Sequence, residues 1–99
     1  ILPRSTSPQL HAFIRKINAS LAALADGRKV RYLDLFPRFA NAAGQLTPGA
    51  YTPDNLHLAI PGYQLWADAL TPLLQELLGP RAATDLAPPP TGDPSATRK

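Results

Sequence analysis

An aspartate and a histidine three residues apart, Asp54 and His57, have the types and spacing that suit acid–base chemistry. Pro53 restricts the backbone just before them, and a predicted helix follows them. In such a turn the carboxylate accepts a hydrogen bond from one imidazole nitrogen, and the other nitrogen points outward as a general base. That pair is half of a Ser-His-Asp system. The same spacing also occurs in ordinary loops, where both side chains bond to local backbone groups.

The sequence lacks the residues that thiol chemistry and metal binding would need. The sequence contains no Cys, which excludes a thiol nucleophile, a disulfide scaffold and a zinc ribbon. The second histidine, His11, falls on the flank of a predicted helix and leaves a metal site short of ligands. We therefore expect no metal site, and a Ser-His-Asp system needs no cofactor.

The charge pattern does not favour nucleic acid as a partner. The net charge is +3 and the isoelectric point about 9.7, but the basic residues are scattered among acidic ones. The tightest cluster, Arg28, Lys29 and Arg31, is typical of a solvated turn. No apolar run approaches the roughly 18 residues of a membrane span.

The elements that must position Asp54 and His57 begin with a helix. Apolar residues recur three and four positions apart from Leu10 to Leu24, which predicts an amphipathic helix over about 8–26. Ser7 is a suitable N-cap, Pro8 suits the first helical position, and Gly27 suits the end.

The remaining pattern predicts a strand, a long loop and a second helix. Val30 to Phe36 is apolar and rich in β-formers, as expected of a strand covered on both faces. Residues 37–60 hold three Pro and two Gly and are predicted to be irregular, with a short helical turn near 38–43. Pro61 to Leu78 has a broad apolar stripe, on which Trp66 is predicted to be a core anchor. We also expect Leu56 and Leu58 to anchor the intervening turn.

This order of elements indicates the terminal portion of an open parallel α/β sheet, with Ile1–Pro3 as the end of a further strand. Residues 80–99 are Pro-rich and nearly free of large apolar side chains, which predicts a disordered tail. The other 79 of the 99 residues supply too few strands for their helices. The sequence therefore suggests a C-terminal fragment, or one piece of an assembly that supplies the missing strands.

The run from Asp54 to Ala67 resembles the last sequence block of the SGNH (GDSL-type) hydrolases, Asp-Gly-x-His-x-x-x-x-Gly-Tyr-x-x-Trp-Ala. Asn55 stands where the family usually has Gly, and Asn also tolerates the left-handed backbone of such a turn. The upstream segments that look like the platelet-activating-factor acetylhydrolase branch are Ile1–Arg4, Ile17–Asn18 and Val30–Phe36.

The resemblance implies that residues 1–79 are the C-terminal part of a flavodoxin-like three-layer α/β/α sandwich with esterase activity. His57 would be the general base and Asp54 would hold its ring. The family's serine lies in a Gly-Asp-Ser block and its oxyanion hole takes a Gly and an Asn from two middle blocks, none of which is found here. The four serines, none in that setting, are Ser5, Ser7, Ser20 and Ser95.

The implied partners are a small acyl ester, such as an acetylated lipid or carbohydrate, and a missing N-terminal part of the same domain. Without a nucleophile and oxyanion donors, the isolated chain is expected to be inactive. The alternative is a non-catalytic interaction domain or a truncated pseudo-enzyme, which exposed apolar surface would favour.

Overall fold

The computed structural model describes residues 1–84 and is built of helices and irregular chain. The helices are α1 (Pro8–Ala22), α2 (Phe36–Phe39) and α3 (Ile60–Leu78). Two isolated antiparallel bridges, Ala40 with Leu46 and Tyr51 with Leu58, fold the loop between α2 and α3. Most of the predicted tail, residues 85–99, lies outside the described residues.

The predicted flavodoxin-like α/β/α sandwich is wrong for this structure. Over residues 1–84 there is no β-strand and no sheet, only the two bridges. The first segment, Ile1–Pro3, is irregular chain rather than the end of a strand. A strand needs a neighbouring backbone to pair with, and neither predicted strand has one here.

Local polar contacts take up both ends of the predicted strand Val30–Phe36. The Asp26 carboxylate accepts hydrogen bonds from the backbone amides of Arg28 and Val30, at 2.8 and 3.0 Å, and folds the start of this run into a turn. The Asp34 carboxylate accepts from the amide of Phe36 at 3.1 Å, where α2 begins. Short acidic side chains that bond nearby amides compete with strand pairing in this way.

Helix α1 begins as predicted and ends earlier. The Ser7 hydroxyl accepts from the amide of Leu10 at 3.3 Å, with Pro8 at the first helical position. After Ala22 the amides of Leu24 and Ala25 bond to carbonyls three residues back, which tightens and closes the helix four residues before position 26.

Buried polar side chains of α1 hold the segment Ile1–Ser5. The Asn18 amide donates to the carbonyl of Ile1 at 2.7 Å, and its oxygen accepts from the amino group of the same residue. His11 Nε2 lies 3.2 Å from the carbonyl oxygen of Arg4 and 2.9 Å from that of Ser5. These contacts supply partners that a neighbouring strand would otherwise provide.

The core consists of two small clusters. Ile14, Phe36 and Ala40 join α1 to α2, with Leu10 and Leu46 packed against them. The second cluster, under the loop and α3, contains Phe39, Ala50 and Leu58. Phe39 is fully buried, which stabilises the fold by about 1.5–3 kcal/mol relative to an exposed ring.

Helix α3 packs with one side and leaves another apolar side open. Gly62 and Ala69 are its buried residues, whereas Trp66, the predicted core anchor, is 40% exposed, so that prediction is wrong. The helix runs through Pro72 without interruption. Helices in residues 1–84 do not combine the length and the hydropathy needed to cross a bilayer.

Gly62 sets the distance between α3 and the loop. A Cβ atom at this position would lie 2.1 Å from the Ala50 carbonyl oxygen and 3.1 Å from its carbon. Both are backbone atoms of a buried residue, and that oxygen also accepts from the amide of Ala59 at 3.0 Å. Only glycine permits this approach.

We predict that Gly62→Ala destabilises the fold by about 1–3 kcal/mol, because neither backbone can move away without losing a hydrogen bond. The measurement is the midpoint of urea unfolding. Gln75→Ala, on the exposed part of the same helix, is the matched control and should leave the midpoint nearly unchanged. Equal midpoints for Gly62→Ala and the unmodified chain would show that the close packing is absent.

Candidate active site

The chain between the two residues of the second bridge, Tyr51 and Leu58, forms a turn closed by its own backbone. The Thr52 amide donates to the carbonyl of His57 at 2.9 Å, and the Asn55 amide donates to the carbonyl of Thr52 at 2.9 Å. Asn55 adopts the left-handed conformation with φ of 55°, as the sequence allowed for. Leu58, buried at the end of the turn, anchors it in the core as predicted, whereas Leu56 is 46% exposed.

The Asp54 carboxylate organises this turn with both of its oxygens. Oδ1 accepts hydrogen bonds from the Thr52 hydroxyl at 2.6 Å and from the amides of Leu56 and His57 at 2.9 and 3.0 Å. Oδ2 lies 2.6 Å from Nδ1 of the His57 ring. The carboxylate is therefore fixed by the backbone and fixes the imidazole in turn.

The arrangement leaves one ring nitrogen of His57 open. Because the carboxylate oxygen can only accept, Nδ1 carries the hydrogen in the neutral ring, and Nε2 has the free lone pair of a general base. Within residues 1–84, Nε2 makes no hydrogen bond, and the side chain is 71% exposed. This is the orientation that the Asp-x-x-His spacing predicted.

The hydrogen bonds also favour the charged form of Asp54. Donation from the Thr52 hydroxyl, then from the His57 ring and the amides of Leu56 and His57, holds the pKa of Asp54 well below its ordinary value of 3.8. Asp54 is thus an anion at neutral pH, and an anion beside Nδ1 stabilises the imidazolium that forms when Nε2 accepts a proton.

A tyrosine connects the turn to the segment Ile1–Ser5. The Tyr51 hydroxyl donates to the carbonyl of Pro3, and its ring packs edge-on against Phe39 with centroids 5.9 Å apart. Burial raises the pKa of Tyr51 to about 12, so the phenol remains a donor at any physiological pH. The amide of Ser5 completes the connection by donating to the carbonyl of Asn55 at 2.8 Å.

The structure brings Asp54 and His57 together, and among residues 1–84 no hydroxyl bonds to the His57 ring. In the described part of the chain, no serine hydroxyl bonds to the His57 ring: Ser7 caps α1 and Ser20 bonds to the carbonyl of Lys16 at 3.3 Å. His11 is buried beneath the Arg4 and Ser5 carbonyls, and residues 1–84 contain no group of side chains suited to a metal ion.

Two residues beside Asp54, Thr52 and Arg4, did not stand out in the sequence. Thr52 makes the hydrogen bond that lowers the pKa of Asp54 most, and the signal for it is a hydroxyl two positions before the aspartate. Arg4 lies beside the turn because the neighbouring Ser5 amide donates to the carbonyl of Asn55. These two residues are 50 positions apart, and a single sequence carries no signal for such a contact.

Comparison of the chain with protein-family models, with curated proteins and with solved structures finds no match. The resemblance to the SGNH hydrolases therefore stays a prediction from the motif.

The hydrogen bond from Thr52 gives a direct test of the site's electrostatics. We predict that Thr52→Val raises the pKa of Asp54 toward 3.8, because the main donor to its carboxylate is lost. The measurement is a carbon-13 NMR titration of the carboxyl carbon. Thr71→Val, which removes a hydroxyl bonded to Ala67 on α3, should leave that titration unchanged. Coincident curves for Thr52→Val and the unmodified chain would contradict the assignment.

The same shift makes the turn sensitive to acid. Because the pKa of Asp54 is lower in the folded chain than in the unfolded one, its contribution to stability is complete above about pH 4. That contribution is lost as the pH falls below this value. We expect the amide signals of Leu56 and His57 to shift in this acidic range.

Proposed function

We propose that this chain supplies the Asp–His half of a Ser-His-Asp triad in a carboxylic ester hydrolase acting on small acyl esters. The acyl groups would be short, such as acetyl groups on lipids or carbohydrates. The supporting observation is the His57 Nδ1 to Asp54 Oδ2 contact of 2.6 Å, with Nε2 open to a reacting group. The motif from Asp54 to Ala67 supports the same reading.

In this proposal His57 Nε2 removes the proton of a serine hydroxyl while the oxygen attacks the ester carbonyl carbon. The tetrahedral intermediate collapses to an acyl-serine, and the imidazolium returns its proton to the departing alcohol. A water molecule then attacks the acyl-serine by the same route, which releases the acid and restores the serine. Asp54 stays ionised throughout and stabilises the imidazolium.

The serine and the oxyanion donors have to come from a polypeptide segment other than residues 1–84. We assign them to an N-terminal part of the same domain, which is the partner the motif implies. The Asp–His pair alone offers a base but neither the nucleophile nor the donors for the developing oxyanion. The isolated chain should therefore show no triad catalysis.

The test is hydrolysis of 4-nitrophenyl acetate by the polypeptide that joins this chain to its serine-bearing segment. We expect His57→Ala and Asp54→Asn each to lower kcat by about three orders of magnitude or more, because the base or its orientation is lost. Asp68→Asn is the matched control: Asp68 accepts from Gln64 at 2.7 Å on exposed α3 and should keep full activity. Unchanged turnover in His57→Ala would refute the proposed role.

A second candidate function, a non-catalytic interaction domain, is supported by the open side of α3. Five large apolar side chains share that side and are each at least 40% exposed, and we call them the α3 stripe: Ile60, Tyr63, Trp66, Leu74 and Leu77. Contiguous exposed apolar residues on one helix are typical of a surface that binds another protein segment.

If the α3 stripe binds protein, the chain should associate at high concentration, and Leu74→Glu should abolish the association by placing a charge in the apolar surface. Light scattering coupled to size-exclusion chromatography measures this. Gln75→Glu, the neighbouring polar position, should associate like the unmodified chain. If the unmodified chain stays soluble and monomeric at millimolar concentration, this result would count against the second function.

A further inference from the structure

A cleft of about 270 Å³ lies directly beside the Asp54–His57 turn. Its residues come from the segment Ile1–Ser5, from the start of α1 and from the turn itself. They are Arg4, Ser5, Leu10, Asp54, Asn55 and Leu56. Two leucines give the cleft an apolar part, and Asp54 connects it to the ring of His57. A molecule held in this cleft would therefore lie against the carboxylate that orients the proposed base, although His57 itself does not line the cleft.

Arg4 brings a positive charge to the cleft, and no acid in residues 1–84 forms an ion pair with it. The ion pairs in the described part of the chain are Arg31 with Glu76 and His57 with Asp54. Asp54 also lines the cleft and is ionised, but both of its oxygens accept hydrogen bonds from Thr52, from two amides and from the His57 ring rather than from Arg4. Among residues 1–84 the guanidinium of Arg4 thus has no ion-pair partner, and it can bind an anion.

The backbone that carries Arg4 is fixed on three sides. Its own carbonyl lies 3.2 Å from His11 Nε2, the carbonyl before it accepts from the Tyr51 hydroxyl, and the amide after it donates to Asn55 at 2.8 Å. Ser5 adopts a φ of 59°, a left-handed conformation that costs a serine energy and persists only where the surroundings enforce it. A guanidinium on so rigid a backbone loses less freedom when it binds.

We propose that this cleft binds a small oxyanion on the substrate, with Arg4 as the binding residue. The substrate class would be esters that carry a carboxylate or a phosphate beside an apolar group, the apolar group packing on Leu10 and Leu56. A guanidinium donates two parallel hydrogen bonds to such an anion. That the anion belongs to a substrate rests on the proposed function, whereas the anion site itself rests on the cleft and on the guanidinium of Arg4.

Binding to the chain itself is tested with three matched probes in a low-salt buffer: 4-hydroxybenzoate, phenyl phosphate and the neutral methyl 4-hydroxybenzoate. Nitrogen–proton NMR titration gives the Kd, and shifts should concentrate at the amides that line the cleft. We expect one or both anions to bind about tenfold more tightly than the neutral probe. The two anionic arms distinguish a carboxylate site from a phosphate site.

Variants separate a specific site from a general effect of charge. Arg4→Gln should remove the preference for anions, and Arg4→Lys should keep part of it, since lysine retains the charge but not the paired donors. Arg28→Gln makes the same change of net charge on an exposed turn and should bind like the unmodified chain. Equal Kd values for anionic and neutral probes, or equal weakening by Arg28→Gln and Arg4→Gln, would overturn the proposal.

Hydrolysis distinguishes this inference from the function on which it builds. The joined polypeptide is assayed with 4-acetoxybenzoate and its neutral methyl ester. A preference for the anion in kcat/KM that disappears in Arg4→Gln supports the inference. Anion binding that depends on Arg4, with neither ester hydrolysed, supports the anion site and refutes the hydrolase function. Hydrolysis of both esters with equal kcat/KM, before and after Arg4→Gln, refutes the substrate class.

Discussion

The segment Ile1–Ser5 is irregular chain that pairs with no strand in the described residues, and side chains bond to its carbonyls. Asn18 and His11 of α1 serve the carbonyls of Ile1, Arg4 and Ser5. Tyr51 serves that of Pro3. A buried carbonyl without a donor costs about 1–3 kcal/mol, so each of these side chains matters more than its size suggests. Through these hydrogen bonds α1, the loop and the turn are all joined to the segment Ile1–Ser5.

The segment Ile1–Ser5 fixes the position of the Asp54–His57 turn in the fold, and hydrogen bonds within the turn fix its geometry. Its internal hydrogen bonds join residues no more than five positions apart, from Thr52 to His57. An exposed ion pair of this kind adds little to the stability of the fold. Its effect is on orientation, since the carboxylate selects which ring nitrogen faces outward. The hydrogen bonds of the turn therefore orient the imidazole more than they stabilise the packing.

Most features set by short-range contacts are predictable from the sequence, with the run Val30–Phe36 as an exception, and features set by distant contacts are not. The Ser7 cap, the left-handed Asn55 and the pairing of Asp54 with His57 involve near neighbours and are confirmed. The α/β sheet was predicted from the apolar run Val30–Phe36, whose composition does not reveal that Asp26 and Asp34 fold its ends.

Trp66 shows the same limit for burial. Periodicity placed it on the apolar stripe of the last helix, but this stripe is wider than the surface that the loop can cover. The close approach at Gly62 decides which side of α3 faces the core, and a single sequence gives no sign of it. The position of Arg4 beside Asn55 depends on a contact between distant residues in the same way.

The bond between the amide of Ser5 and the carbonyl of Asn55 makes one proton a reporter of motion at the turn. This amide exchanges with solvent deuterium only when the segment and the turn separate, because its acceptor belongs to the turn. The exchange rate of Ser5 therefore measures how often the scaffold under His57 opens on the timescale of minutes to hours. Slow exchange of the Ser5 amide would show that the turn holding the His57 ring stays docked on the segment Ile1–Ser5.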